Sequence, residues 1–128
     1  MPNAHVAAAA TGLPAACPTL ATVRDCELVY AALQDALAAV TGIMLRPICD
    51  DEGSAYAHLD RFSDWLMAEA DRVVAQVEAM TPQTRTVADD RAQLILRHEL
   101  NSGSPAADLA AKAASLAAEC SRVPLSCH

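Results

Sequence analysis

The stretch CDDEGSAYAHLD, residues 49 to 60, places metal-ligating side chains close together in the sequence. Within twelve positions it holds a cysteine, a histidine and four acids: Cys49, His58, Asp50, Asp51, Glu52 and Asp60. A calcium loop needs acids at alternate positions and a distant glutamate, and structural zinc needs paired short ligand spacings. The stretch has neither pattern. Acids that precede a helix are stabilised by its dipole, so we interpret the stretch as a helix start, with Gly53 turning the chain and Ser54 as N-cap.

Other patterns that carry chemistry are missing from the sequence. No Glu precedes a histidine by three positions, as di-iron bundles require, and HELNS at 98–102 lacks the second histidine of a zinc protease. Cys26 and Cys120 fall on apolar stripes, where a thiol is most often a small core residue. We therefore expect no catalysis, no metal and no cofactor. The alternative is a metal- or thiol-dependent sensor or enzyme that uses Cys49 and His58.

Aromatic and acidic residues cluster near the start of the second predicted helix. At about 100° per residue, His58, Phe62 and Trp65 lie side by side, and they include the only Phe and the only Trp of the chain. One interpretation is that a neighbouring helix or the preceding connection, with Ile43, Met44, Leu45 and Ile48, covers them. The other is that they anchor a protein partner, because aromatic residues dominate interface hot spots. Acids of the same helix, Asp71 among them, would then select a basic partner. The predicted partner-binding residues are His58, Phe62, Trp65, Asp60, Asp64 and Glu69.

The elements that position these residues are predicted to be helices. Twenty-nine alanines, four aromatic residues and four glycines favour helices over strands, so we expect an all-α protein. Four segments are bounded by capping signals: Thr22 before the first, Gly42 after it, Thr86 before the third and Ser104 before the fourth. The predicted helices span roughly 23–40, 55–80, 87–100 and 105–121.

The second helix has the clearest apolar pattern. Its seam follows strict three-four spacing through positions 56, 59, 63, 66, 70, 73, 77 and 80, which is typical of helices that pack at a shallow angle. At ~1.5 Å per residue it is about 39 Å long, more than a compact bundle of this size needs. We expect a bundle of four helices, and the excess length suggests a homodimer through this helix.

Length and charge restrict the remaining possibilities. At 128 residues the chain fits one domain, which we place at 22–122, with a disordered or loosely packed arm at 1–21 and a tail at 123–128. A net charge of −7 disfavours binding to nucleic acid or membrane surfaces. The fourth helix resembles a DNA-reading helix in its place after a short turn, but it has too few basic residues.

Cellular context is predicted from composition alone. Five cysteines without a CxxC unit favour a reduced, cytoplasmic protein, and the excess of Ala, Arg and Pro favours a GC-rich bacterial genome. The first twenty residues contain no Lys or Arg, so we expect no signal peptide, and no apolar run nears the ~20 residues of a membrane span. The expected function is protein–protein interaction as an adaptor, regulator or structural component. An acidic decoy for a nucleic-acid-binding partner is a further alternative.

Overall fold

A computed structural model describes residues 19–49 and 52–125. These residues form four helices and no strand: α1 (Val23–Met44), α2 (Ser54–Ala79), α3 (Arg85–Asn101) and α4 (Ala106–Arg122). The predicted all-α class and the four helices are confirmed. The predicted arm lies almost wholly outside the described residues, and so does the end of the predicted tail.

The chain packs as two compact units. The first unit contains Ala31–Ala70, and the second contains Leu20–Tyr30 together with the described residues from Asp71 onward. Helices α1 and α2 each contribute to both units, whereas α3 and α4 belong to the second unit alone. The expectation of a single domain over 22–122 stays a prediction.

Helix α1 begins where the sequence predicts and ends later. The Thr22 hydroxyl accepts a hydrogen bond from the Asp25 amide at 3.0 Å, which is the predicted cap. The predicted stop at Gly42 is wrong, because α1 continues to Met44. Gly42 does not adopt the left-handed conformation of a C-terminal cap, so it is an ordinary helical residue.

Helix α2 buries the predicted seam most completely in its second half, where Leu66, Ala70, Val73 and Val77 are all buried. The N-cap differs from the prediction by one residue. The Gly53 carbonyl accepts the first helical hydrogen bond, from the Ala57 amide at 3.2 Å, so Gly53 is the N-cap and Ser54 the first helical residue.

Helices α3 and α4 pack against each other and are joined by a Schellman turn. Gly103 has φ of +75°, its amide bonds to the Leu100 carbonyl, and the Ser104 amide bonds to the Glu99 carbonyl. The predicted caps of both helices need correction. Thr84, not Thr86, caps α3 by accepting from the Val87 amide at 3.2 Å. Pro105, not Ser104, is the N-cap of α4. The Ser104 hydroxyl does not cap the helix and donates to Glu99 Oε2 at 2.6 Å.

Arg91 of α3 ties three helices of the second unit together. Its buried guanidinium donates to the carbonyls of Val77 (3.0 Å) and Glu78 (2.8 Å) at the end of α2, and to Glu119 of α4 (2.9 Å). The last carbonyls of a helix have no partner within it and carry its negative dipole end, so a cation there satisfies both needs. Arg91 therefore closes the C-terminus of α2 against α3 and α4.

Helix α1 bears on the expectation that no apolar run is long enough to span a membrane. By length and composition α1 is able to cross a membrane, because an 18-residue window of it has a mean hydropathy of 1.3, although only 17% of that window is buried. This is weak evidence, since core helices and signal sequences pass the same test. Asp35 near the middle of α1 opposes insertion by about 2.5–3.5 kcal/mol, and Tyr30 is hydrogen-bonded to α3.

Candidate interaction surface

The first half of α2 displays the only Phe–Trp pair of the chain. Phe62 and Trp65 are three residues apart, so they follow each other along one side of the helix. Their ring centroids are 6.0 Å apart and their planes differ by 6°, which is a stacked arrangement. Both side chains are partly exposed. Aromatic stacking holds the two rings together while each keeps part of its surface exposed.

Exposed polar residues accompany this pair. His58, one turn before Phe62, is exposed, and so are Asp60 and Asp64. Glu69 was predicted to belong to the same acidic rim, but it is only 5% exposed, so the prediction that it faces a partner is wrong. We call the remaining five residues the aromatic surface: His58, Phe62 and Trp65 on one side of the helix, with Asp60 and Asp64 further around it.

The connection before α2 does not bury its apolar residues. Leu45 is 79% exposed and Ile48 is 89% exposed, and Ile43 at the end of α1 is exposed as well. The interpretation that these residues lie over the aromatic side of α2 is therefore wrong for Leu45 and Ile48, since an apolar side chain that packs on another loses most of its exposure. The first unit consequently displays several large apolar side chains in addition to the stacked pair.

The described residues provide no set of ligands for the hypothesis of a metal site. Cys49 is partly exposed and His58 is exposed, and in the described ranges no three His, Cys, Asp or Glu side chains come together as a metal would require. Asp50 and Asp51, the other acids of that stretch, lie outside the described residues. The thiol pKa is raised above 9.0 at Cys26 by burial, and at Cys120 by burial and by a hydrogen bond to Asp89. Neither cysteine is an activated nucleophile.

A hydrogen-bonded network in the second unit was not found from the sequence. Tyr30 of α1 meets His98 of α3 through its hydroxyl and Nδ1 (3.2 Å), and His98 Nε2 lies 2.7 Å from Asp71 Oδ1 of α2. Asn101 donates its side-chain amide to the Tyr30 hydroxyl at 3.0 Å. Asp71, which was expected in the acidic rim, pairs with His98, and its side chain remains 69% exposed. Sequence spacing gives no sign of this network, because Tyr30 and His98 are 68 residues apart.

The contacts of this network fit together when His98 carries a hydrogen on Nε2 alone. Asn101 donates to the Tyr30 oxygen, and in that tautomer the Tyr30 O–H donates to His98 Nδ1 and Nε2–H donates to the Asp71 carboxylate. An acid, an imidazole and a hydroxyl in sequence resemble a hydrolytic triad. Tyr30 is completely buried, however, and burial raises its pKa above 10.0. A protonated hydroxyl without access to substrate holds helices together and does not attack a bond.

A shallow apolar groove runs along α3 and α4. Its two ends share Gln93, Leu96 and Ala113, so the groove is continuous. Leu116 and Ala117 line one end and Leu100 and Leu109 the other. We call this feature the α3–α4 groove.

No protein-family model matches the chain, and the searches of curated proteins and of solved structures found no similar protein.

Proposed function

We propose that this protein acts without catalysis of its own, by binding a protein partner through the aromatic surface of α2. The stacked and partly exposed Phe62–Trp65 pair supports this proposal more than any other observation. A Trp in contact with a Phe offers a large rigid apolar area that loses little conformational entropy on binding. Such a pair contributes most to binding when a partner covers its exposed area and removes that area from water.

Acids in the same turns of α2 add a charge preference to the partner. Asp60 and Asp64 are exposed and lie one helical turn apart, so they form a short row of negative charge, which helical spacing places around the helix from the stacked rings. The best complement is a protein surface that covers the rings with an apolar or aromatic side chain and extends around α2 to place basic residues near Asp60 and Asp64. Opposite charges at the rim fix its orientation, while the apolar contact supplies most of the affinity.

Other apolar residues of the first unit enlarge the area available to a partner. Ile43, Leu45, Ile48 and Met67 are all among the exposed large apolar residues of the chain. The first unit therefore exposes several large apolar side chains besides the stacked pair, and a partner that covers them removes apolar area from water. We place the protein in the cytoplasm, where its thiols remain reduced.

Capture experiments with two matched variants test the proposal. Immobilised wild-type protein, Trp65→Ala and Leu28→Ala are exposed to extract of the native host, and captured proteins are identified by mass spectrometry. Leu28 is 56% exposed and lies outside the aromatic surface, so it controls for loss of any exposed apolar side chain. We expect Trp65→Ala to lose a specific partner that wild type and Leu28→Ala retain, with a melting temperature close to that of wild type.

A second variant guards against Trp65 being needed for folding. Asp60→Lys combined with Asp64→Lys changes only exposed side chains and leaves the stacked pair in place. We expect weaker capture that no longer depends on salt. If this variant captures the same partner as strongly as wild type, and Trp65→Ala only lowers the melting temperature, the aromatic surface is not the binding site.

A further inference from the structure

The hydrogen-bonded network of the second unit contains one imidazole between a buried hydroxyl and an exposed carboxylate. His98 Nδ1 lies 3.2 Å from the Tyr30 hydroxyl, and its Nε2 lies 2.7 Å from Asp71 Oδ1. Asn101 Nδ2 donates to the Tyr30 oxygen at 3.0 Å. Histidine is the side chain that gains or loses charge most readily near neutral pH, so the response of these bonds to a proton on His98 decides what the network can do.

A proton on His98 Nδ1 reverses the hydrogen bond to Tyr30. An imidazolium carries N–H groups at both ring nitrogens, so Nδ1 stops accepting from the Tyr30 O–H and donates to the Tyr30 oxygen. Tyr30 is completely buried, and its hydrogen therefore needs another acceptor within the protein. The other side of the ring is unchanged, because Nε2–H donates to the Asp71 carboxylate in both states.

The Asn101 side chain supplies that acceptor after a half-turn of its amide. The half-turn exchanges Nδ2 and Oδ1 at nearly the same place, and the torsion that it uses is a soft one. Asn101 Oδ1 forms no hydrogen bond with another described residue, so the rotation breaks only the bond to Tyr30 that it replaces. Asn101 is exposed, which leaves its released N–H groups to water. All groups of the network are then hydrogen-bonded in both states.

We infer that Asn101, Tyr30 and His98 form a proton-operated switch with two directions of hydrogen bonding. With a neutral imidazole, Asn101 donates to Tyr30 and Tyr30 donates to His98. With an imidazolium, His98 donates to Tyr30 and Tyr30 donates to Asn101. The output is the orientation of the Asn101 amide at the last residue of α3, directly before the turn to α4. The switch does not depend on the proposed function, because it contains no residue of the aromatic surface.

The groups that face His98 come from three helices. Helix α1 contributes Tyr30, α2 contributes Asp71, and α3 contributes Asn101 and also Arg97, whose charge acts on the Tyr30 hydroxyl together with that of Asp71. As far as the structure describes the chain, α4 forms no hydrogen bond or ion pair with Tyr30, His98 or Asn101. The His98 side chain is 16% exposed and that of Asp71 is 69% exposed, so the ring is in reach of protons from water.

NMR spectroscopy of the full isotope-labelled chain, from about pH 8 to about pH 5, tests the switch. We expect the ring nitrogen shifts of His98 to show a hydrogen on Nε2 alone at the high end and on both nitrogens at the low end. Nuclear Overhauser contacts between the Asn101 side-chain N–H groups and the Tyr30 ring should be present in the first state and lost in the second. A ring that stays neutral throughout, a hydrogen on Nδ1 at high pH, or Asn101 contacts that persist when His98 is protonated would overturn the inference.

Two substitutions of Asn101 favour opposite states. Asn101→Asp offers only acceptors to the Tyr30 O–H, whereas Asn101→Leu leaves that buried hydrogen without an acceptor when His98 is protonated. We expect the His98 titration midpoint of Asn101→Asp to exceed that of Asn101→Leu by about one pH unit or more, which is about tenfold in proton affinity.

Ser102→Asp is the control for the added charge. Ser102 is exposed, and its side chain forms no hydrogen bond with a described residue. We expect Ser102→Asp to move the His98 midpoint much less than Asn101→Asp does. Equal shifts in the two variants would assign the effect to charge alone and contradict the role of the Asn101 amide.

Tyr30→Phe tests whether the hydroxyl carries the coupling. Without it, His98 still titrates, but the Asn101 side-chain signals should move much less across the titration than they do in the wild-type chain. Asn101 signals that follow His98 equally in both proteins would show that the hydroxyl does not connect the two residues. If Tyr30→Phe does not fold, the contacts between Asn101 and Tyr30 in the wild-type chain still decide the matter.

Discussion

Tyr30 shows how a single hydroxyl connects distant segments of the second unit. Its ring is completely buried, its oxygen accepts from Asn101, and its O–H faces His98. The Tyr30 and His98 rings also meet edge to face, with centroids 5.6 Å apart. A buried polar group costs free energy unless it is hydrogen-bonded, so each member of the network depends on the others.

We expect Tyr30→Phe to lower the free energy of unfolding by about 1–3 kcal/mol, because it leaves the Asn101 amide and His98 Nδ1 without their partner. Urea unfolding followed by circular dichroism measures the change. Tyr56→Phe is the matched control, since no hydrogen bond joins the Tyr56 hydroxyl to another described residue, and it should alter stability by less than about 0.5 kcal/mol. Equal effects of the two variants would show that the Tyr30 hydroxyl is not a stabilising link.

Arg91 is the second residue whose removal should be costly. Arg91→Met keeps most of the apolar stem but removes the donors to two carbonyls and to Glu119. We expect a loss of about 2–4 kcal/mol, because hydrogen bonds to charged groups are worth about 1.5–3 kcal/mol each and water can replace some of them. Arg61→Met, at an exposed residue of α2, serves as the control in the same urea titration. A loss below about 0.5 kcal/mol would show that α2 does not need this cap.

At the scale of the elements, two glycines have opposite roles. Gly103 has φ of +75° in the turn between α3 and α4, whereas Gly42 lies within α1 without a positive φ, and an added Cβ meets no atom within 4 Å at either site. Backbone conformation alone therefore distinguishes them.

We expect Gly103→Ala to destabilise the fold by about 1–2 kcal/mol, the cost of the left-handed region for a residue with Cβ. Gly42→Ala should stabilise it by about 0.5–1 kcal/mol, because glycine within a helix loses more backbone entropy than alanine. Thermal unfolding of the pair provides the measurement. Stabilisation by both substitutions would contradict the turn at Gly103.

At the scale of the whole molecule, three buried or partly buried acids share one direction of pKa shift. Burial is the first cause at Cys26, Tyr30 and Cys120, and it raises each pKa above its ordinary value of 9.0 for the thiols and 10.0 for the phenol. The unfolded chain releases these protons at lower pH than the folded chain. Their contribution to stability is therefore complete below about pH 8.5 and is lost as the pH rises through the folded-state pKa values.

We accordingly expect the urea midpoint to fall between about pH 8 and about pH 10.5, measured with a reductant present. The growing negative charge of an already acidic chain acts in the same direction. The double variant Cys26→Ala, Tyr30→Phe should be less stable at neutral pH but should lose less on going to alkaline pH. A wild-type midpoint that is constant or rises over this range would contradict the prediction.

The sequence alone determined the helical class, the four helices and the seam of α2. These features depend on local composition and on an apolar spacing of three and four residues, both of which are visible directly in the sequence. Helix ends were less predictable: Thr84 and Thr86 are both able to cap α3, and Ser104 has its hydroxyl taken by Glu99. Neighbouring N-cap candidates cannot be told apart by residue type, because the path of the preceding connection decides which of them reaches the first amides of the helix.

Only the tertiary structure decided which polar residues of α2 are buried or paired within the protein. Glu69 and Asp71 resemble Asp60 and Asp64 in type and share α2 with them, yet Glu69 is buried and Asp71 pairs with His98. Leu45 and Ile48 have the composition of core residues and are exposed. The partners of Tyr30 and Arg91 come from segments far apart in the chain, and periodicity within one helix carries no information about which face of another helix it will meet.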